Sequence, residues 1–143
     1  MKKIVGVVSL LLLAAAMAFA APNASGDLKP FPKTLINARY VYVTSYDGNE
    51  FNWNVLPEDR QAIGDVQQAL KDWGRYVVVY EPRQADMVIA VQKRGSEDVL
   101  AVYDPHFAGE STYLWRAMSN GGLDKNEMPI FAELRQAVEK ASK

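Results

Sequence analysis

Residues 57–79 read PEDRQAIGDVQQALKDWGRYVVV, and this stretch decides the fold. Pro57 suits a first helical turn, and Glu58 and Asp59 place carboxylates at the positive end of a helix dipole. Ile63, Val66, Leu70 and Trp73 then recur at the three-to-four spacing of one helical face. Gly74 follows, the residue that closes a helix in the left-handed conformation with least strain. Residues 75–80 are β-branched and aromatic, so a strand succeeds the helix directly.

Upstream, residues 39–46 hold Tyr40-Val41-Tyr42-Val43-Thr44, the composition of a strand, and Asp47-Gly48-Asn49 breaks it. The first three elements therefore form a strand-helix-strand unit, whose crossover is expected to be right-handed and is compatible with a parallel pair. Downstream, residues 87–91, 99–103 and 113–118 read as three further strands. The links between residues 80, 87 and 99 are short, which favours antiparallel neighbours. Asn120-Gly121-Gly122 closes the last strand. Met128, Ile130, Phe131, Leu134, Val138 and Ala141 line one stripe of a final helix with Pro129 in its first turn. The expected fold is α+β, a single domain over residues 37–143 in the order β-α-β-β-β-β-α. Both helices pack on one face of a single, mainly antiparallel sheet.

The strands at 76–79 and 87–91 are apolar on both faces, yet two helices cover only one. Monomers seldom leave such surface bare. The loop at 47–56 or the proline-rich stretch is the expected cover, with another protein as the alternative.

At the amino terminus, Lys2 and Lys3 precede the apolar run 4–16, and Ala18-Phe19-Ala20 gives a small-x-small cleavage pattern. Residues 1–20 thus read as a secretory signal peptide, which predicts a periplasmic or secreted protein. Residues 21–36, with Pro22, Pro30, Pro32 and Gly26, read as a flexible linker. The sequence has no cysteine, so neither a disulfide nor an acylated lipoprotein anchor is expected, and no second stretch suits a transmembrane span. Removing Lys2 and Lys3 leaves 14 basic against 17 acidic side chains, a net charge of −3. Without a basic stripe, nucleic acid is not an expected partner. Lys93-Arg94, the one adjacent basic pair after the signal peptide, is expected at a solvated hairpin end.

Chemistry-bearing motifs are sparse. No Gly-x-Ser-x-Gly elbow occurs, and Gly121-Gly122 lacks the spacing of a phosphate loop. His106 lies in Asp104-Pro105-His106-Phe107-Ala108-Gly109-Glu110, where two carboxylates and an imidazole can bind a metal or pair as acid and base. That spacing matches no metal motif, and a solvated turn is the expected state. No catalytic set, metal or cofactor is therefore assigned. Tyr46, Phe51, Trp53 and Phe107 fall in or beside loops, and Asn52 and Asn54 flank Trp53. Such rings can stack on sugars while the amides bind hydroxyls, but the commoner fate is for Phe51 and Trp53 to fold back over the second sheet face. Together with His106, these are the candidate ligand or partner contacts. Asp86 is expected to cap the turn after Pro82 or to pair with Arg83 or Arg75, and Trp73 and Trp115 are expected in the core.

Ala85-Asp86-Met87-Val88-Ile89-Ala90-Val91, preceded by an amphipathic helix and by the strand after Trp73-Gly74, resembles a recurrent bacterial envelope module. Similar arrangements occur in the amino-terminal domain of the TolB translocation protein, in curli-secretion and penicillin-binding-protein-activator lipoproteins, and in secreted domains of unknown function. Leu114-Trp115-Arg116 before a final helix is similar to the closing strand of such domains. The resemblance spans most of residues 39–141 and rests on short, mainly core motifs. The chain lacks the lipoproteins' acylated cysteine and the propeller that follows in TolB. The resemblance implies a non-catalytic module that docks envelope proteins, and self-association would meet the same physical need. A glycan or peptidoglycan binder is the alternative, and a metal-assisted hydrolase using Asp104, His106 and Glu110 a further one.

Overall fold

In the computed structural model, which describes residues 30–106, 112–124 and 126–143, strand β1 (Tyr40–Ser45) lies between two parallel neighbours. These are β2 (Val77–Val79) and β3 (Met87–Gln92). Strands β4 (Asp98–Tyr103) and β5 (Trp115–Ser119) extend the sheet antiparallel, giving the order β2-β1-β3-β4-β5. Helix α1 (Pro57–Trp73) connects β1 to β2, and α2 (Pro129–Ala141) follows β5. The expected signal peptide at 1–20 and residues 21–29 lie outside the described residues.

Each helix forms for the reasons its sequence supplies. Pro57 opens α1, and Gly74 at φ 76° closes it, its N–H donating to the Leu70 carbonyl at 3.2 Å. The stripe of Ala62, Ile63, Val66 and Leu70 is fully buried, as are Ile130, Leu134 and Val138 of α2. Both stripes join one core with Val41, Val43, Met87, Ile89, Leu100, Val102 and Trp115, so both helices pack on the same sheet face. Trp73 of α1 meets Phe131 of α2 edge-on, with ring centroids 6.0 Å apart. Among the described residues no helix is long and apolar enough to cross a membrane.

The α+β class and the element order are those the sequence predicts, but the sheet is mixed, with two parallel and two antiparallel pairs. The reason is the shortness of β2. A three-residue strand advances only about 10 Å, so the link 80–86 suffices to return past β1 and start β3 in the same direction. Its 3-10 turn, Pro82–Gln84, packs on β1. Asp86 completes the return: its Oδ2 accepts the Arg39 and Tyr40 N–H groups at 3.0 Å each. The hydrogen bonds from Tyr40 and Arg39 hold its carboxyl below the usual range. Asp86 thus pairs with neither Arg83 nor Arg75 but pins the start of β1.

The expected linker also ends earlier than residue 36. Phe31 and Leu35, one on either side of the turn start at Lys33, are each 2% exposed and belong to the core. The prolines and glycine of this stretch mask two apolar anchors four residues apart. At the other end of the chain, Gly122 is buried where β5 turns into α2. A Cβ there would sit 2.6 Å from Ser119 Oγ and 2.8 Å from Ile130 Cγ2. Gly122→Ala is therefore expected to cost about 1–3 kcal/mol by overpacking, seen as a lower urea midpoint at unchanged slope.

Candidate functional site

The loop after β1 is built by its own polar side chains. Ser45 and Gly48 exchange backbone hydrogen bonds of 2.9 and 3.3 Å, and Gly48 adopts φ 128°, a conformation suited to glycine. Asn49 Oδ1 accepts the Phe51 N–H, and Asn52 Oδ1 accepts the Asn54 N–H, both at 3.0 Å. Asn52 Nδ2 donates to the Asp47 carbonyl, and Arg60 Nη2 reaches back from α1 to the carbonyls of Asn52 and Val55, all at 3.3 Å. Val55, 3% exposed, roots the loop. These bonds fix the backbone so that Phe51 is 80% and Trp53 87% exposed.

This overturns one expectation. Phe51 and Trp53 do not fold back over the second sheet face; they project into solvent. The paired asparagine turns hold the backbone between them and leave no slack for the rings to return. Asn52 has both ends of its amide committed inside the loop, so of the two flanking asparagines it is spent on structure rather than presented to a ligand.

Tyr46 belongs to a different surface. On the face opposite the helices, Val79, Tyr42, Val88 and Tyr103 fall in one row across the sheet, followed by Thr44, Ala90, Ala101 and Arg116. Tyr42, Ala90 and Ala101 are buried, whereas Tyr40, Val77 and Met118 are exposed. Toward β5, Tyr46, Gln92, Tyr103, Tyr113, Arg116 and Met118 line an open depression of about 500 Å³. The Arg116 guanidinium lies 4.3 Å from the centre of the Tyr113 ring. Burial, then a hydrogen bond with the Tyr103 side chain, pushes the Tyr46 hydroxyl well above the ordinary tyrosine range.

His106 is exposed at a turn in which both its N–H (2.9 Å) and its ring Nδ1 (3.1 Å) meet Asp104 Oδ1. Phe107 and Glu110 lie outside the described residues. Among the described residues, no group of three or more histidine, aspartate or glutamate side chains is arranged to hold a metal ion.

The chain matches no family model, no curated protein and no solved structure.

A charged cluster, read in the sequence only as a solvated Lys93-Arg94 pair, braces the loop from below. Asp59, fully buried in the first turn of α1, accepts the Lys93 N–H at 2.7 Å and the Arg94 guanidinium at 2.8 Å. Arg94 also reaches Asp47 at 3.3 Å. Asp98, 1% exposed, accepts the Arg94 N–H at 3.0 Å and the Leu123 N–H at 2.9 Å. Lys93 Nζ spans Asp98 at 3.3 Å and Asp124 at 2.6 Å. The hairpin end is thus an anchor joining α1, the β3–β4 turn and the β5–α2 connection. Sequence spacing could not reveal it, because its carboxylates come from four separate segments.

These surroundings predict the alkaline limit of stability. Burial raises the Tyr46 and Tyr76 hydroxyls. Burial lowers the Lys93 ammonium, but Asp124 and Asp98 more than offset this, so its net shift is also upward. All three folded-state values exceed the unfolded ones, so the protonated forms favour the fold. That contribution is complete below the ordinary values and is lost as the pH climbs above about 10. Melting temperature should therefore fall in that window, with Tyr46→Phe showing a smaller fall.

Proposed function

We propose that this chain is a non-catalytic protein-interaction module that works in the bacterial periplasm or outside the cell, with the loop at 47–56 as its docking element. The observation that carries this reading is the exposure of Phe51 and Trp53 on a backbone fixed by Asn49, Asn52 and Arg60. Large aromatic side chains dominate the energetics of protein interfaces. Because the loop is already ordered, a partner that buries these rings has little backbone entropy to overcome. The commitment of Asn52 within the loop favours a protein partner over a sugar. The signal-peptide pattern and the likeness to envelope modules support the location.

Phe51→Ser and Trp53→Ser, alone or combined, should leave stability within about 0.5 kcal/mol, since both rings are solvated. The test is a photo-crosslinking residue placed at position 53, compared with one at the exposed Gln68 on α1, in cells that make the protein. An adduct formed from position 53 and absent from position 68 is expected. No adduct, or the same adducts from both positions, overturns the reading.

A further inference from the structure

The loop occupies one pole of the molecule. Strand β1 ends there and α1 begins there, with α2 starting from the connection tied to the same charged cluster. At the opposite pole both helices end. Arg75 Nη2 ties the Ile36 carbonyl at 3.2 Å to Ser142 Oγ at 2.9 Å, joining the segment before β1 to the ends of α1 and α2. Beside this junction lies an apolar groove of about 610 Å³, walled by Phe31, Ala137 and Ala141, with Lys33 and Lys140 at its lining.

Charge complements shape. The aromatic loop leads into the exposed Glu58 at the start of α1, whereas the groove carries two lysines; Asp47 is already paired with Arg94. Among the described residues Glu58, Lys33 and Lys140 have no ion-pair partner within the chain. An aromatic projection beside Glu58 at one pole and a lysine-bearing apolar groove at the other are thus complementary in charge.

We propose that the groove between Phe31 and α2 receives the Phe51–Trp53 loop of a second copy of this chain. This rests on the reading of the loop as a docking element and names its occupant. Because plug and groove lie at opposite poles, a copy cannot satisfy both within itself. The contact is heterologous, so repetition generates a head-to-tail series rather than a closed pair.

Sedimentation velocity of the mature chain, residues 21–143, over a wide concentration range tests this. Species larger than a dimer are expected to grow with concentration. Trp53→Ser should abolish them, Lys140→Glu should weaken them, and Lys140→Glu combined with Glu58→Lys should restore them. All three positions are exposed, and circular dichroism verifies that each variant is folded. A monomer at every concentration, association that survives Trp53→Ser, or a dimer that grows no further overturns the proposal, as does failure of the charge reversal to restore assembly. Association that arises only after residues 21–29 are deleted would assign the groove to the chain's own segment and overturn a second copy as its occupant. A monomeric chain that still gives a position-specific crosslink to a different protein overturns the self-assembly alone. A monomeric chain with no such crosslink ends both readings.

Discussion

Asp59→Ala is expected to lower the unfolding free energy by about 3–5 kcal/mol, the range for breaking a buried ion pair from one side. The carboxylate is fully buried and makes three contacts with two groups, the Lys93 N–H at 2.7 Å and Arg94 Nη1 at 2.8 and 2.9 Å. Removing it deprives the Lys93 amide of its acceptor and leaves the guanidinium with the Lys93 carbonyl at 2.7 Å and Asp47 at 3.3 Å. Asp59→Asn should cost less, because the side-chain carbonyl can still accept from Lys93. A urea titration of both variants with Arg94→Ala and the double variant gives the coupling directly. A loss below about 1 kcal/mol for Asp59→Ala would mean that the cluster is ornamental to stability.

Trp115→Ala should rank beside it, at about 3–5 kcal/mol for truncating a buried tryptophan. Trp115 is fully buried in the core, on a strand with β4 as its one neighbour in the sheet. Half of the ladder support available to an interior strand is missing there, so packing of this ring against the helix-covered face must hold β5 in place. Trp115→Phe retains part of that volume and should recover part of the loss. If equilibrium unfolding shows the alanine variant within about 1 kcal/mol of the parent, β5 is held by something other than its ring.

Sequence periodicity was a good guide wherever a residue's fate depends on its near neighbours. The α1 stripe, the Pro57 start and the Gly74 stop are local facts, and the structure reproduces them. The direction of β3 is not local: it follows from how far β2 runs before the chain turns back, and a short link alone suggested a hairpin. Asp86 shows the same limit, since its partners at Arg39 and Tyr40 lie more than forty residues upstream. For the candidate site, composition picked out Phe51 and Trp53 but mistook their direction. Burial is the usual fate of such rings, and only the hydrogen bonds made by Asn49, Asn52 and Arg60 turn them outward. The charged cluster was invisible for a related reason: Lys93 and Arg94 are adjacent, but the acids that pair with them are scattered from Asp47 to Asp124.

The parallel pairing of β1 also bears on the order in which the chain can fold. The β3–β4 hairpin joins Gln92 to Val99 across a tight turn, whereas Val41 must find Met87, 46 positions away. Closing the longer loop loses more chain entropy, so the meander of β3, β4 and β5 has the kinetic advantage. The first strand to leave the ribosome must wait for a later one, and until then Tyr40-Val41-Tyr42-Val43 is an unpaired apolar segment. With the export proposed above, a chain of this topology has reason to depend on a holding chaperone during its passage.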